Sequence, residues 1–166
     1  MNQASPRLHF LCGKIAAGKS TLAARLAEPK DAVLIVEDDW LKGLFADELK
    51  TMKDYARCSS KLRQSLTPHI EALIEAELTV VLDFAANTRG QRAWMKALTV
   101  DLGVAHALHW LDVSDELCLV RLHARNQAGT HQFVVSDAQF HQVSALFEPP
   151  SDDEGFDVIR HKAPHD

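Results

Sequence analysis

The sequence predicts an α/β protein, a parallel β-sheet with helices on both faces. Three observations carry this expectation. Short apolar runs alternate with helical stretches in the order β-α-β-α-β-α-β-α-β. Apolar residues in those runs are continuous rather than every second one, as in strands covered on both faces. The first run also leads at once through a glycine-rich turn into a helix.

The elements follow in order. Leu8 to Cys12 reads as a buried strand bounded by Gly13, with Gly13 to Ala17 a loop. From Gly18 a helix with an apolar face of Leu22, Leu26 and alanines runs until Pro29 stops it. Ala32 to Val36 is the second strand. After Glu37-Asp38-Asp39, a short helix is expected over Trp40 to Phe45. Helical periodicity covers Met52 to Leu78, with Thr67-Pro68 suggesting a cap and a second start, so two helices or a kinked one. Thr79 to Leu82 is the third strand, ending at Asp83. Arg89 to Leu102 is a helix stopped by Gly103, and His106 to Val113 the fourth strand. Ser114 caps a helix reaching about Arg125, with Asp115 and Glu116 in its first turn. Asn126 to Ser136 is a loop, Asp137 to Phe147 a helix stopped by Pro149-Pro150, and Phe156 to Arg160 the last strand. The tail from His161 is expected to fray.

A chain of 166 residues buries roughly two-thirds of its unfolded surface, enough for one core, so residues 1–166 are expected to form a single domain. Hydrophobic residues at 46% and charged residues at 25% exclude a disordered chain. The net charge of −5 argues against a general nucleic-acid binder. Cys12, Cys58 and Cys118 form no C-x-x-C pair and read as free buried thiols in a reducing compartment. The N-terminal residues lack the order of a signal peptide, and no apolar stretch is long enough to span a membrane. A cytoplasmic protein is the default expectation.

The most specific feature is Gly13-Lys14-Ile15-Ala16-Ala17-Gly18-Lys19-Ser20-Thr21, a full match to G-x-x-x-x-G-K-[ST]. Its glycines let backbone N–H groups turn inward around phosphate oxygens, and small Ala16 and Ala17 keep side chains out of the cradle. The helix that follows presents its positive end to the same anion. Lys19 would reach the β- and γ-phosphates, and the Ser20 hydroxyl would ligate Mg²⁺. The sequence has no N-K-x-D guanine-reading loop and no L-S-G-G-Q transporter signature. With 146 residues after Ser20 (166 − 20), it fits a small ATP-dependent phosphotransferase best.

At these residues the sequence resembles the small P-loop kinases grouped with chloramphenicol phosphotransferase, the zeta toxins and the kinase domain of polynucleotide kinase. It is most similar to a group of bacterial AAA-type ATP-binding proteins. The matching blocks are Cys12 to Thr21, Glu37 to Leu41, Val80 to Phe84 with Asn87-Thr88, and Arg121 to Asn126. The resemblance implies a three-layer, adenylate-kinase-like P-loop fold with a five-stranded sheet in the order 2-3-1-4-5. It also implies ATP and Mg²⁺, and a lid over about residues 121–137.

Spacing alone leaves Glu37, Asp38 and Asp39 open as the base that takes the acceptor's proton. The family pattern favours Asp38, and helix-start acids are the alternative. Asp83 resembles a Walker-B-type acid that orders Mg²⁺, or is a strand-end turn residue. Asn87 and Thr88 could touch phosphate or acceptor, or Thr88 could cap the next helix. Arg121 and Arg125, four apart, share a helical face. In the related kinases a lid arginine here grips the transferring phosphate, and Arg125 is the better candidate. The expected catalytic set is thus Lys19, Asp38 and Arg125. The nucleotide contacts are Gly13, Lys14, Ala16, Ala17, Gly18, Lys19, Ser20, Thr21, Arg121 and Arg125, and the metal contacts Ser20 and Asp83. Arg57, Lys61 and Arg63 read as a solvated face, with the lining of an acceptor pocket as the alternative; Trp40, Trp94 and Trp110 read mainly as core anchors, with Trp40 alternatively a wall of that pocket. Related 5′-hydroxyl kinases of nucleic acids carry an Arg three residues after the base. Here that position is Leu41. A small-molecule acceptor is therefore expected. A nucleic-acid 5′-kinase and a nucleotide-dependent ATPase or switch are the alternatives.

Overall fold

The computed structural model describes residues 7–129 and 134–163. Its sheet has five strands in the order β2-β3-β1-β4-β5, every neighbouring pair parallel. β1 (Leu8–Cys12) lies at the centre, with Phe10 opposite Leu82 of β3 (Thr79–Asp83) and Leu108 of β4 (His106–Asp112). β2 (Ala32–Val36) and β5 (Val158–Lys162) form the edges. A β1 covered on both faces has no solvent side, and all five of its residues are buried.

Strand alternation sends residues to two cores. Phe10, Cys12, Val80, Leu82 and Leu108 pack with α3 (Met52–Glu75) and α4 (Arg89–Leu102), through Leu62, Leu66, Ile70, Met95 and Leu98. On the opposite face Leu11 and Val81 meet Ala23 of α1 (Lys19–Leu26). Leu111 there joins Cys118 and Leu122 of α5 (Asp115–Ala128) and Phe140 of α6 (Asp137–Ser144). The three-layer arrangement and strand order match the sequence expectation. All three cysteines are free and buried, and burial raises the Cys12 thiol to about 11. Among the described residues no helix is long and apolar enough to cross a membrane.

Several boundaries differ from those read in sequence. α3 is one 24-residue helix that carries Pro68 inside it. The proline lacks one N–H, but four buried side chains from Leu62 to Ile74 hold the helix to the sheet on both sides of it. α2 (Glu37–Phe45) begins at Glu37 rather than Trp40, so the three acids form its first turn. Trp40 is 41% exposed and is no core anchor, whereas Trp94 and Trp110 pack against the main core. α5 continues to Ala128 and ends where Gly129 adopts φ 62°. Residues 130–133, part of the expected loop and lid, lie outside the described residues. β5 starts and ends two residues later than expected, so His161 and Lys162 belong to the sheet and not to a frayed tail. His161 is held there by a hydrogen bond to His109.

Candidate active site

β1 ends beside the carboxyl end of β3, and the glycine-rich turn leaves the sheet at that point. Such crevices at the carboxyl ends of parallel strands are where α/β folds bind ligands. The turn needs small residues. A Cβ on Gly13 would stand 3.1 Å from the Leu111 carbonyl oxygen, and Gly18 takes φ 105°. Ala16 also sits at positive φ, 60°. The Gly13 N–H donates to Asn87 Oδ1 at 2.9 Å, tying the turn to the loop after β3. Lys19, the first residue of α1, folds back so that its Nζ donates to the Gly13 and Lys14 carbonyls at 2.6 and 2.9 Å. Burial lowers its pKa, while Asp83 works in the opposite direction.

A cavity of about 880 Å³ opens above this turn. Ala16, Gly18, Lys19, Ser20 and Thr21 line one side, Asp38, Asp39 and Asp83 another, and Arg121 and Arg125 of α5 a third. Gly13, Lys14 and Ala17 do not line it. Lys14 is turned instead to an ion pair with Asp115. The Ser20 hydroxyl donates to Asp83 Oδ2 at 2.8 Å. Asp38 is exposed toward the cavity, and the Tyr55 hydroxyl donates to its Oδ1 at 3.4 Å. Burial, then the charges of Glu37 and Asp38, push the Tyr55 hydroxyl far above its ordinary value, so it remains a donor. Arg121 Nη1 donates to the Ala17 carbonyl at 3.0 Å. Burial lowers the pKa of Arg125, and its buried Nε has no hydrogen-bond partner among the described residues.

The structure separates the three acids. Glu37 is 1% exposed. It accepts hydrogen bonds from the Ser59 hydroxyl, the Ala85 N–H at 2.9 Å and the Arg63 guanidinium, Nη2 lying 3.1 Å from Oε1. Arg63 also donates to the Ala85 and Gln91 carbonyls and lies over the rings of Trp94 and Phe84. Arg63 therefore leaves the solvated face on which the sequence placed it, because Glu37 and two aromatic rings offer a better surrounding than water. Arg57 stays exposed, paired with Glu48 at 2.9 Å. Thr88 caps α4 in a reciprocal box with Gln91, and Asn87 serves the glycine-rich turn. The Glu37–Arg63 pair was missed in sequence. Its only sequence signal was an acid placed directly after five apolar strand residues.

The donor set suits a triphosphate with a hard cation. A hydroxyl and one carboxylate stand together beside a lysine at a helix start. Among the described residues no group of three or more His, Cys, Asp or Glu side chains could hold a metal by itself. A cation at Ser20 and Asp83 would complete its shell with phosphate oxygens and water.

A family model described as an AAA domain matches residues 8–150. The chain belongs to this family. No curated protein matches the sequence significantly. Among solved structures, an APS kinase of Mycobacterium tuberculosis in complex with AMPPNP and APS is 20% identical, with a TM-score of 0.63 over 97% of this chain and 90% of that one. A sugar kinase from Janibacter is 16% identical, with a TM-score of 0.62 over 95% and 85%. A gluconokinase from Sinorhizobium meliloti is 15% identical, with a TM-score of 0.60 over 97% and 84%. This AAA-domain chain thus has the fold of small P-loop kinases.

Proposed function

We propose that the protein is an ATP-dependent phosphotransferase that moves the γ-phosphoryl group of ATP to a hydroxyl of a small-molecule acceptor. One observation carries the reading. The Asp38 carboxylate opens on the same cavity as Lys19 and the Ser20–Asp83 pair. Transfer to an alcohol needs a proton acceptor facing the γ-phosphate, and Asp38 lines the cavity where that acceptor would act.

The residues divide the work. Lys19 gives up its two carbonyl partners to reach the β- and γ-phosphate oxygens, and the amides of residues 13–18 hold them. Ser20 and Asp83 would hold Mg²⁺, which supplies neutralising charge on those oxygens. Asp38 accepts the proton of the acceptor hydroxyl as its oxygen bonds to the γ-phosphorus and the bond to ADP breaks. Arg125, with Arg121 beside it, neutralises charge on the transferring group. Leu41, where a substrate-phosphate arginine would sit in a nucleic-acid 5′-kinase, is 1% exposed in the core and cannot serve that end.

Two variants test this. Asp38→Asn should lower label transfer from γ-labelled ATP to acceptor by about 10²–10⁴-fold. Label found only in free phosphate with the wild-type protein, across sugars, nucleosides and 5′-hydroxyl oligonucleotides, would make it a hydrolase. Lys19→Ala should remove the rise in melting temperature that ATP·Mg²⁺ produces, and a retained rise would refute the phosphate cradle.

A further inference from the structure

A second cavity, about 490 Å³, lies between the first half of α3 and the first turn of α4. It adjoins the one just described. Tyr55 lines both, and its hydroxyl donates to Asp38. Ser59 lines the second cavity and donates to Glu37, which lines the first. The volume suits a compound of sugar or nucleoside size.

Its lining is almost without charge. Among the described residues around it, Arg63 alone is ionic. Each guanidinium nitrogen of Arg63 is already donating: Nε and Nη2 to Glu37, Nη1 to the Gln91 carbonyl, and Nη2 also to the Ala85 carbonyl. Its charge is matched by Glu37, and its face is covered by Trp94 and Phe84. A carboxylate, phosphate or sulfate entering here would lose its water and meet no uncommitted cation. Toward the reacting end it would meet Asp38 and Asp39. A hydroxyl both donates and accepts, so it suits what remains. The side chains of Ser60 and Gln64, one turn apart on the open face of α3, make no hydrogen bond within the described residues. The half-buried Trp94 ring adds an apolar wall, its N–H already committed to Thr67 Oγ1.

We infer that this second cavity is the acceptor seat and that its ligand is an uncharged polyhydroxy compound, presented to Asp38 past Tyr55. The inference rests on the phosphotransferase reading and adds a substrate class to it.

Ligand-observed saturation-transfer NMR tests it, on the full chain with a non-hydrolysable ATP analogue and Mg²⁺. Matched probes are glucose against glucuronate and glucose 6-phosphate, and adenosine against adenosine 5′-monophosphate. At least one uncharged probe should bind, with its anionic partners about tenfold weaker or more. Binding confined to glucose or to adenosine distinguishes a sugar from a nucleoside within the class. Ser60→Arg, which places a cation on the open helix face, should move the anionic-to-neutral ratio up by about tenfold, a ratio that partial unfolding leaves unchanged. Equal or stronger binding of the anionic probes to the wild type, no binding of any neutral probe, or an unmoved ratio in Ser60→Arg overturns the inference. The melting shift with the ATP analogue, read on the same samples, separates the two levels. If it persists, only the acceptor class falls; if it is absent, the phosphotransferase reading falls too.

Discussion

Glu37 and Asp38 are adjacent acids with opposite fates. Consecutive residues of a helix are rotated by about 100°, and here that rotation separates the side Glu37 takes from the one Asp38 takes. Glu37 turns into the protein and Asp38 toward the cavity. A buried carboxylate persists only with compensating donors, and Glu37 has Ser59, Arg63 and the Ala85 N–H. Glu37→Ala should therefore cost about 3–5 kcal/mol in urea unfolding, because it strands the Arg63 guanidinium. Glu37→Leu combined with Arg63→Met should recover much of that loss, since no charge is then left without its partner. A double variant no more stable than Glu37→Ala would show that the pair contributes through something other than mutual neutralisation. No such test was available to sequence reading, where the three acids were equivalent candidates apart from a family resemblance.

At the scale of elements, α3 shows packing overriding a local stop signal. Thr67-Pro68 has the form of a cap and a first helical residue. Yet Thr67 Oγ1 donates back to the Arg63 carbonyl at 2.8 Å, as a residue inside a helix does. Leu62, Leu66, Ile70 and Ile74 recur every four residues and are all nearly buried. Their shared burial outweighs the roughly 3 kcal/mol by which proline disfavours a helix interior. Pro68→Ala should raise stability by about 2 kcal/mol, the regained helix preference less the added freedom of the unfolded chain. A fall in the urea midpoint would mean that α3 needs the proline's bend to reach the sheet. The same helix carries Tyr55, Ser59 and Arg63 in register with Glu37 and Asp38, so its continuity also builds the wall of the cavity beside those two acids.

At the scale of the whole molecule, three strands contribute a file of histidines across one face of the sheet. His9 Nδ1 lies 3.0 Å from His109 Nε2, and His109 Nδ1 lies 2.9 Å from His161 Nε2, with both ring pairs stacked. A neutral imidazole donates from one nitrogen and accepts at the other, so neutral rings can satisfy the file. Burial, then the neighbouring histidines, lowers the His109 pKa to about 4. In the unfolded chain it titrates near 6.5. Between those values the unfolded state binds the extra proton and the folded state does not, so stability falls as pH drops from about 6.5 to about 4 and is unaffected above that range. The loss should total on the order of 3 kcal/mol. Urea midpoints measured from pH 7.5 to 4.5 should show this slope, and His109→Phe should flatten it. An equal slope in the variant would assign the effect to other groups.

The chain by itself determined the sheet, its covered faces, the glycine-rich turn and the acids at the carboxyl ends of β2 and β3. These depend on local steric rules and short periodicities: glycine where φ is positive, continuous apolar runs where both faces are buried, a helix start after the turn. Only the tertiary structure decided which acid is buried, that Arg63 leaves the surface, that α3 runs through its proline and that His161 belongs to β5. Each of these depends on a partner distant in sequence, such as Ala85 for Glu37 or His109 for His161. Such contacts form only once the sheet has brought those residues together, because the free energy of a buried charge or a broken helix is set by its neighbours in space.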